Sequence, residues 1–299
     1  MWRYAVLVMI GVALMAVAWS SSLAEVVLEP EPEQRVVLVT GSTSGLGREV
    51  AYRLAADGAF VIVHGRDVAR GEAVMRRINE DMPGAARFIR ADFVSLDNVR
   101  TLAATVLEDY ERLDLLVNNA GIAGPQTRQL SEDGYELTFQ VNYLSHFLLT
   151  DELLPLLEQS APARIINVAS GAQRPIDFDD PHIKQDYESW RAYGQSKLAQ
   201  ITYTKTLAKR LEGTGVSTYS LHPATFMDTR MVRGAGIEPR TTVDEGADAV
   251  MHLITAEGLE NGAYYNGLEP DTAHEQAYDK QARQKLWTLS EALLQGNAD

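Results

Sequence analysis

The sequence contains no cysteine. This absence excludes disulfide bonds, thiolate metal sites and cysteine nucleophiles, and it is compatible with both reducing and oxidising compartments. Positive charge is also scarce, since 27 lysines and arginines stand against 41 aspartates and glutamates, for a net charge of −14. We therefore expect neither nucleic-acid binding nor non-specific attraction to anionic lipid. Internal repeats and clusters of histidine and carboxylate at metal-ligand spacing are absent too, so we expect no metal site.

What the chain does have is enough apolar sequence for one large domain. Its 299 residues are 45% hydrophobic, sufficient for an α/β domain with a buried core. The continuous apolar run Val36–Val39 is typical of a parallel strand buried on both faces. A helix over 46–56 and a second strand over 60–63 complete a βαβ unit. The same alternation continues to about residue 266, and it predicts a single-domain doubly wound parallel sheet, or Rossmann fold, of about seven strands.

Residues 1–34 are predicted to lie outside this domain. Residues 4–24 carry no charge, Arg3 precedes them, and Ser22-Leu23-Ala24 fits a signal-peptidase cleavage site. At 1.5 Å per residue, a helix of this length also nearly crosses a hydrocarbon layer of ~30 Å. We expect residues 1–24 to be either a signal peptide, with export after cleavage near Ala24, or an N-terminal membrane anchor. Residues 25–34, rich in proline and glutamate, are predicted to form a stiff, solvated spacer.

A glycine-rich turn joins the first strand to the first helix. It reads Thr40-Gly41-Ser42-Thr43-Ser44-Gly45-Leu46-Gly47. Glycine permits a tight turn, and the helix behind the turn offers N–H groups and a positive dipole to a pyrophosphate. The second strand ends at Arg66, whose guanidinium suits a 2′-phosphate. The turn predicts dinucleotide binding, and Arg66 favours NADP(H), with NAD(H) as the alternative.

Tyr193 and Lys197 are the strongest candidates for catalysis. They stand four residues apart in Arg191-Ala192-Tyr193-Gly194-Gln195-Ser196-Lys197, a spacing that places phenol and ammonium on one face of a helix. A nearby cation favours the phenolate, so we expect the pKa of Tyr193 to lie below its usual value of about 10. Such a phenol can exchange a proton near working pH. Taken alone, the pair is also what an ordinary surface contact looks like.

Three further motifs stand between the turn and this pair. Asn118-Asn119-Ala120-Gly121 follows the fourth predicted strand, Asn142 lies inside a long helix predicted over 134–157, and Ser170 ends the fifth strand. In type, order and spacing these motifs make the chain from about 35 to 266 resemble the short-chain dehydrogenases/reductases. The passages 137–150 and 160–168 narrow the resemblance to the retinol-dehydrogenase-like branch.

The resemblance implies a catalytic role for four residues. Tyr193 exchanges a proton with the substrate oxygen, and Lys197 lowers the phenol pKa and holds the cofactor ribose. Ser170 polarises the carbonyl; relatives commonly carry two serines here, and Ala169 replaces the first. Asn142 holds a water connected to the lysine. These roles imply hydride exchange between a nicotinamide and a carbonyl carbon.

The resemblance also implies a set of cofactor contacts. Gly65 stands where NAD-binding relatives carry an acid, which supports NADP, whereas Ser44 stands where NADP-binding relatives often carry a basic residue. Ala224 replaces a glycine, and Thr225 and Thr229 both compete for contact with the nicotinamide amide. The implied cofactor-binding residues are Thr40, Gly41, Ser42, Ser44, Gly45, Leu46, Gly47, Arg66, Asp92, Phe93, Asn119, Ala120, Gly121, Tyr193, Lys197, Pro223, Ala224 and Thr225.

The rest of the catalytic domain, 35–299, contains two predicted accessories. A mobile lid near 223–242 would set substrate choice. An amphipathic helix over 272–294 would pack on the body or on a second copy of the chain. The charges around residues 4–24 favour a translocated domain, but reduced nicotinamide cofactor is a cytosolic pool, so the side of the membrane stays open.

The sequence thus predicts an NADP-dependent oxidoreductase that interconverts an alcohol and an aldehyde or ketone. Its small-molecule substrate is expected to be apolar, of the retinoid, steroid or lipid kind. A cofactor-binding regulator or scaffold without turnover is the alternative from another class, and it would predict the loss of a catalytic residue. A light-dependent protochlorophyllide reductase, which this branch also resembles, involves a cysteine that this chain lacks.

Overall fold

The structure is a computed structural model that describes residues 29–296. Eight strands of this range form one sheet in the order β3-β2-β1-β4-β5-β6-β7-β8. Adjacent strands from β3 to β7 are parallel, and β8 runs antiparallel to β7. The strands are β1 (Val36–Val39), β2 (Phe60–Gly65), β3 (Ala86–Arg90), β4 (Leu115–Asn118), β5 (Ala163–Val168), β6 (Val216–His222), β7 (Tyr264–Asn266) and β8 (Glu269–Asp271).

Helices connect the strands and cover both faces of the sheet. A π-helical turn, Gln140–Leu144, separates α4 from α5, and a 3₁₀ turn, Glu275–Ala277, precedes α9. The helices are α1 (Gly45–Ala56), α2 (Val68–Asp81), α3 (Leu96–Asp109), α4 (Leu137–Phe139), α5 (Ser145–Gln159), α6 (Ser189–Arg210), α7 (Arg230–Gly234), α8 (Val243–Thr255) and α9 (Lys280–Leu294).

Alternating side chains of the central strands build two cores. Val36 and Leu38 of β1 belong to the core on one face of the sheet, and Val37 and Val39 belong to the core on the other. All four are fully buried. Since successive strand residues point to opposite faces, a continuous apolar run is what a strand covered by helices on both sides requires.

The strand order places a cleft beside β1. Chain order runs outward from β1 to β3 on one side, then returns to β4 on the other, so β1 and β4 meet where the winding reverses. In such sheets, ligands bind outside the carboxyl ends of the strands at this reversal. The segments after β1 and β4 meet there, with the Thr40 N–H donating to Val117 O at 3.0 Å.

Three predicted elements differ from the observed ones. The helix predicted over 134–157 is broken by the π turn, and α5 runs through Pro155 to Gln159. The sheet gains β8 through a two-residue turn in which Gly267 has a φ of +58°. The helix predicted over 272–294 begins only at Lys280, because Asp279 caps it by accepting from the N–H groups of Gln281 and Ala282.

The predicted N-terminal segment, 1–24, lies outside the described residues. The described part of the spacer contains a turn, since the Gln34 N–H donates to Glu31 O and the Glu31 N–H donates to the Gln34 side chain, both at 3.0 Å. The backbone of the spacer is therefore turned at these residues. Among the helices of residues 29–296, none is both long and apolar enough to cross a membrane.

Candidate active site

Two glycines shape the turn after β1 because their positions leave no room for a side chain. Gly41 has a φ of +66°, and a Cβ there would lie 2.7 Å from the Cα of Ala120. A Cβ on Gly47 would lie 2.6 Å from the carbonyl oxygen of Gly41. α1 begins at Gly45, which brings its free N–H groups and positive dipole to the turn. The turn therefore fits the pyrophosphate of a dinucleotide.

The segment Asn118-Asn119-Ala120-Gly121 at the end of β4, here called the cofactor wall, is hydrogen-bonded to Thr40. The Thr40 hydroxyl oxygen accepts from the N–H groups of Asn119 and Ala120, both at 2.9 Å. The Asn119 side-chain nitrogen donates a hydrogen bond of 2.8 Å to Thr40 O. These three hydrogen bonds hold the ends of β1 and β4 together at the edge of the cleft.

Arg66 lies at the exposed tip of β2. Its side chain is 63% exposed, and a guanidinium nitrogen lies 3.9 Å from a carboxylate oxygen of Asp92. At the neighbouring Gly65, a Cβ would lie 2.5 Å from the methyl group of Thr43. An acidic side chain therefore does not fit at residue 65 without movement of Thr43. The tip of β2 presents a cation to the cleft.

Asn142 lies in the π turn, a feature that often marks functional sites. Its side-chain oxygen accepts from the Ile122 N–H at 2.8 Å. Its side-chain nitrogen donates to Ile122 O and to the Ser196 hydroxyl, both at 3.0 Å. The amide thus ties the loop after the wall to α6, one residue before Lys197. Sequence reasoning did not find Ile122 or Ser196.

Ser170 and Tyr193 lie side by side. Ser170 follows β5 by two residues, and its hydroxyl lies close enough to the Tyr193 phenol to affect the pKa of that phenol. The Ala172 N–H donates to the Ser170 hydroxyl oxygen at 3.1 Å, and the Tyr264 phenol donates to Ser170 O at 3.2 Å. A carbonyl oxygen that lies between the serine and tyrosine hydroxyls can accept from both.

The expected lowering of the Tyr193 pKa is wrong for this structure. Burial raises the pKa of the phenol, and the neighbouring Ser170 hydroxyl opposes that rise in part. Lys197 lies 5.7 Å from the centre of the Tyr193 ring, but its ammonium donates to Val168 O at 2.9 Å and to the Gln200 side chain at 2.8 Å. The charge is therefore directed at other oxygens.

Burial lowers the pKa of Lys197 to about 7. A lysine with a pKa in this range can give up and take back a proton near neutral pH. Gln200 lies three residues beyond Lys197 on α6, so the helical spacing could have revealed it as a partner of the ammonium.

The predicted lid is folded back over the glycine turn. The Asp228 N–H donates to Thr241 O at 3.0 Å. The Thr229 hydroxyl caps α7, and its methyl group would lie 3.3 Å from a Cβ on Gly45. The Thr225 hydroxyl instead contacts His222 at the end of β6, at 3.0 Å. Thr229 thus lies at the pyrophosphate end of the cleft, whereas Thr225 lies on the segment Pro223-Ala224-Thr225 that follows β6.

Two histidines that sequence reasoning treated as ordinary core or surface residues lie beneath the turn. The Gly41 N–H donates to His64 Nδ1 at 3.2 Å, and the Thr40 hydroxyl contacts His146 Nε2 at 3.0 Å. The Phe93 ring lies between them, stacked on His64 at 4.7 Å and edge-on to His146 at 5.2 Å. Phe93 is only 3% exposed, so its ring belongs to the core and is not positioned to stack on an adenine.

Buried histidines should make the fold sensitive to mild acid. Burial lowers the pKa values of His64 and His182 to about 4 and that of His146 to about 3, from 6.5. The unfolded chain takes up these protons below about pH 6.5 and the folded chain does not, so stability falls as pH decreases from 6.5 toward 4. Each histidine contributes a slope of about 1.4 kcal/mol per pH unit.

Urea unfolding at pH 7.5, 6.5 and 5.5 measures this slope. We expect the free energy of unfolding to fall as the pH decreases below 6.5. The variant His182→Gln should show a smaller slope, since one of the histidines whose pKa burial lowers is gone. An unfolding midpoint that does not change between pH 7.5 and 5.5 would contradict the assignment of buried neutral histidines.

The fold and the site together define the class of protein. A doubly wound sheet holds a dinucleotide turn at its switch point, and a serine, a tyrosine and a lysine lie at the same carboxyl edge. This arrangement is that of a nicotinamide-dependent oxidoreductase.

Comparisons with known proteins agree with this class. The family model described as "short chain dehydrogenase" matches residues 35–239. Human retinol dehydrogenase 12 is 36% identical over 275 residues, covering 87% of this chain and 86% of that protein. Mouse retinol dehydrogenase 13 is 37% identical over 281 residues, covering 87% and 84%.

Solved structures show the same fold. An uncharacterized protein from Mycobacterium paratuberculosis superposes with a TM-score of 0.73 at 32% identity, over 89% of this chain and 96% of that one. A short chain dehydrogenase from Shigella flexneri, complexed with NADP, gives a TM-score of 0.64 at 26% identity, over 81% and 99%.

The chain therefore belongs to the short-chain dehydrogenase/reductase family, in its retinol-dehydrogenase-like branch. It is an NAD(P)-dependent oxidoreductase that acts on CH–OH groups.

Proposed function

We propose that the protein uses NADP(H) to interconvert an apolar alcohol and the corresponding aldehyde or ketone. The observation that carries this proposal is the proximity of Ser170, Tyr193 and the buried Lys197 at the edge where the dinucleotide turn lies. When bound, the nicotinamide supplies or accepts the hydride. Every other part of the reaction is assigned to side chains of this chain.

Tyr193 is the proton donor to the substrate oxygen in reduction and the acceptor in oxidation. Its raised pKa keeps the phenol protonated at neutral pH, which suits donation, and Ser170 orients and polarises the carbonyl from the adjacent position. Lys197, with a pKa near 7, is suited to return a proton to the phenol. Asn142 fixes the turn of α6 that carries Lys197 through its bond to Ser196.

Apolar side chains beside the tyrosine support an apolar substrate. Trp190 is 48% exposed, and its ring lies 6.4 Å from the Tyr193 ring at an angle of 25°. Met231 and Ile237 of the lid are each 38% exposed. Large exposed apolar groups around a cleft suit a ligand that brings its own apolar surface. The curated relatives are retinol dehydrogenases, which favours the same substrate class.

The experiment is a turnover assay of the purified protein with a panel of apolar aldehydes, ketones and alcohols, each with NADP(H) and NAD(H). We expect oxidation of NADPH with at least one apolar aldehyde or ketone. Tight NADPH binding without turnover on any member would favour the regulator or scaffold instead. A protein that neither binds NADPH nor turns over any substrate would overturn both the enzyme and the regulator or scaffold.

NADP preference is proposed to depend on Arg66. The guanidinium at the tip of β2 is available to pair with a 2′-phosphate, and the Thr43 methyl group occupies the space of an acidic side chain at Gly65. The solved relatives from Shigella flexneri and Escherichia coli are complexed with NADP and NADPH. A charge-assisted bond of this kind corresponds to roughly one to two decades in affinity.

We therefore expect NADPH to bind roughly 10–100-fold more tightly than NADH, and Arg66→Ala to remove most of that difference. Dissociation constants from cofactor fluorescence measure it. Arg76→Ala is the matched control, because Arg76 is an exposed arginine on α2 paired with Glu72 at 3.3 Å. Equal affinities in the unmodified protein, or an unchanged preference in Arg66→Ala, would refute the assignment.

A further inference from the structure

His146 connects the two halves of the active site. It lies on α5 just after the π turn and is 2% exposed. Its Nδ1 lies 2.9 Å from the backbone carbonyl oxygen of Asn142, and its Nε2 lies 3.0 Å from the Thr40 hydroxyl. Thr40 belongs to the cofactor turn, and Asn142 belongs to the catalytic group. A single ring therefore spans both.

The proton positions on this ring follow from its partners. A carbonyl oxygen can only accept, so His146 Nδ1 carries the hydrogen that goes to Asn142. Burial lowers the pKa of His146 to about 3, so the ring is neutral and Nε2 accepts from the Thr40 hydroxyl. The charged or titratable groups facing it are Lys197 and His64.

The direction of the Thr40 hydroxyl then matters to the cofactor wall. When the Thr40 hydroxyl donates its hydrogen to His146, the lone pairs of the hydroxyl oxygen face the N–H groups of Asn119 and Ala120. Val117 O, at 3.2 Å, is the other acceptor within reach of the hydroxyl hydrogen. Without the imidazole, the hydrogen would turn to Val117 O and the lone pairs would leave their present direction.

The other side of the ring acts on Asn142. The backbone of Asn142 lies in a π turn, where helical hydrogen bonding is irregular. Its side-chain amide holds Ile122 and Ser196, next to Lys197. The hydrogen bond from His146 Nδ1 to the Asn142 carbonyl oxygen fixes this stretch of backbone. It thereby also fixes the direction of the Asn142 side-chain amide.

We propose that His146 is a positioning residue whose two nitrogens serve two functions: Nε2 orders the cofactor wall through Thr40, and Nδ1 orders the catalytic group through Asn142. The second function rests on the proposed reaction, whereas the first requires only that the protein bind a dinucleotide. A histidine that merely filled the core would affect stability alone.

Two substitutions separate the functions. The amide of His146→Asn can replace the Nδ1 donor but does not reach Thr40, and the amide of His146→Gln can reach Thr40 but gives up the donor near Asn142. We expect His146→Asn to raise the NADPH dissociation constant about tenfold with kcat nearly unchanged. We expect His146→Gln to lower kcat about tenfold with NADPH affinity nearly unchanged.

Two further measurements keep the inference falsifiable. Thr40→Val removes the hydroxyl at nearly constant volume, and it should raise the NADPH dissociation constant as His146→Asn does. In the double variant Thr40→Val/His146→Asn the two effects should not add, because the effect of His146→Asn on the cofactor acts through the Thr40 hydroxyl. His182→Gln is the matched control for a buried histidine, since His182 is 4% exposed and stacks on Tyr135 at 5.3 Å. It should lower the melting temperature and leave affinity and kcat unchanged.

Opposite effects of the Asn and Gln variants on affinity and kcat support the inference. Variants of His146 that lower only the melting temperature, as the control does, overturn it, and so do variants that change affinity and kcat together. If the unmodified protein turns over no substrate, the proposed reaction fails, but NADPH affinity in His146→Asn and His146→Gln still tests the link to Thr40.

Discussion

Tyr193→Phe is expected to reduce kcat by about 10²–10⁴-fold, the range that a positioned acid–base group contributes. The substitution removes the hydroxyl that lies near Ser170 and keeps the ring that packs beside Trp190. Because the phenol is assigned to the proton and not to cofactor binding, the NADPH dissociation constant should change by no more than about twofold. Single-turnover kinetics at saturating NADPH, with cofactor fluorescence for affinity, measure the two quantities.

Tyr203→Phe is the matched control for this variant. Tyr203 lies on the same helix, is 4% exposed, and packs its ring against Phe147 and Trp287. Its loss of a hydroxyl should leave kcat unchanged. Retention of more than a tenth of the activity in a folded Tyr193→Phe protein would rule out the phenol as the proton donor.

Lys197→Met should have the second largest effect, on kcat and on cofactor affinity together. Methionine keeps the length of the side chain, but Val168 O and the Gln200 side chain lose their donor. The proton relay to Tyr193 is lost with the ammonium, so we expect kcat to fall about 10²–10³-fold. Since the ammonium is also assigned to the cofactor ribose, the NADPH dissociation constant should rise about tenfold. Stopped-flow kinetics and cofactor fluorescence separate these effects.

Lys205→Met tests whether the effect belongs to the position. Lys205 lies two turns further along α6, donates to Gly262 O at 3.2 Å and lies over the Tyr278 ring at 4.4 Å. Burial lowers its pKa as it does for Lys197. Loss of this cation should reduce stability and leave kcat and NADPH affinity unchanged. Equal kinetic losses in the two variants would show that α6, and not the Lys197 ammonium, is responsible.

Much of the fold is predictable because its signals are local. The apolar run of β1, the glycine turn and the helix behind it are contiguous in sequence, and each limits the backbone by itself. The spacing of Tyr193 and Lys197 likewise needs only the period of one helix. Where a local signal was absent, the prediction failed: nothing in the residues around Asn142 distinguishes a π turn from a regular helix.

The parts of the site that the sequence does not disclose depend on contacts between distant residues. The bond between Thr40 and His146 joins residues 106 apart, and that between Tyr264 and Ser170 joins residues 94 apart. A buried histidine and a surface histidine look alike in a sequence, so composition alone gives no sign of such a bond.

The pKa of Tyr193 shows why spacing is insufficient for electrostatics. Four residues on a helix place Lys197 near the ring, but the direction of its ammonium is decided by Val168 on β5 and Gln200 on α6. Burial by the surrounding elements is then the largest influence on the phenol, and it raises the pKa of Tyr193. Proximity was predictable, whereas the sign of the shift required the packed structure.

The most direct test of the central claim follows the hydride. An aldehyde or ketone that the protein reduces is incubated with NADPH carrying deuterium at both C4 positions, and the alcohol is examined by mass spectrometry and NMR. Transfer of hydride to the carbonyl carbon, with the proton supplied to oxygen by Tyr193, predicts one deuterium on the carbinol carbon and none there when unlabelled NADPH is used in D₂O. A carbinol carbon that takes its hydrogen from solvent would contradict the account.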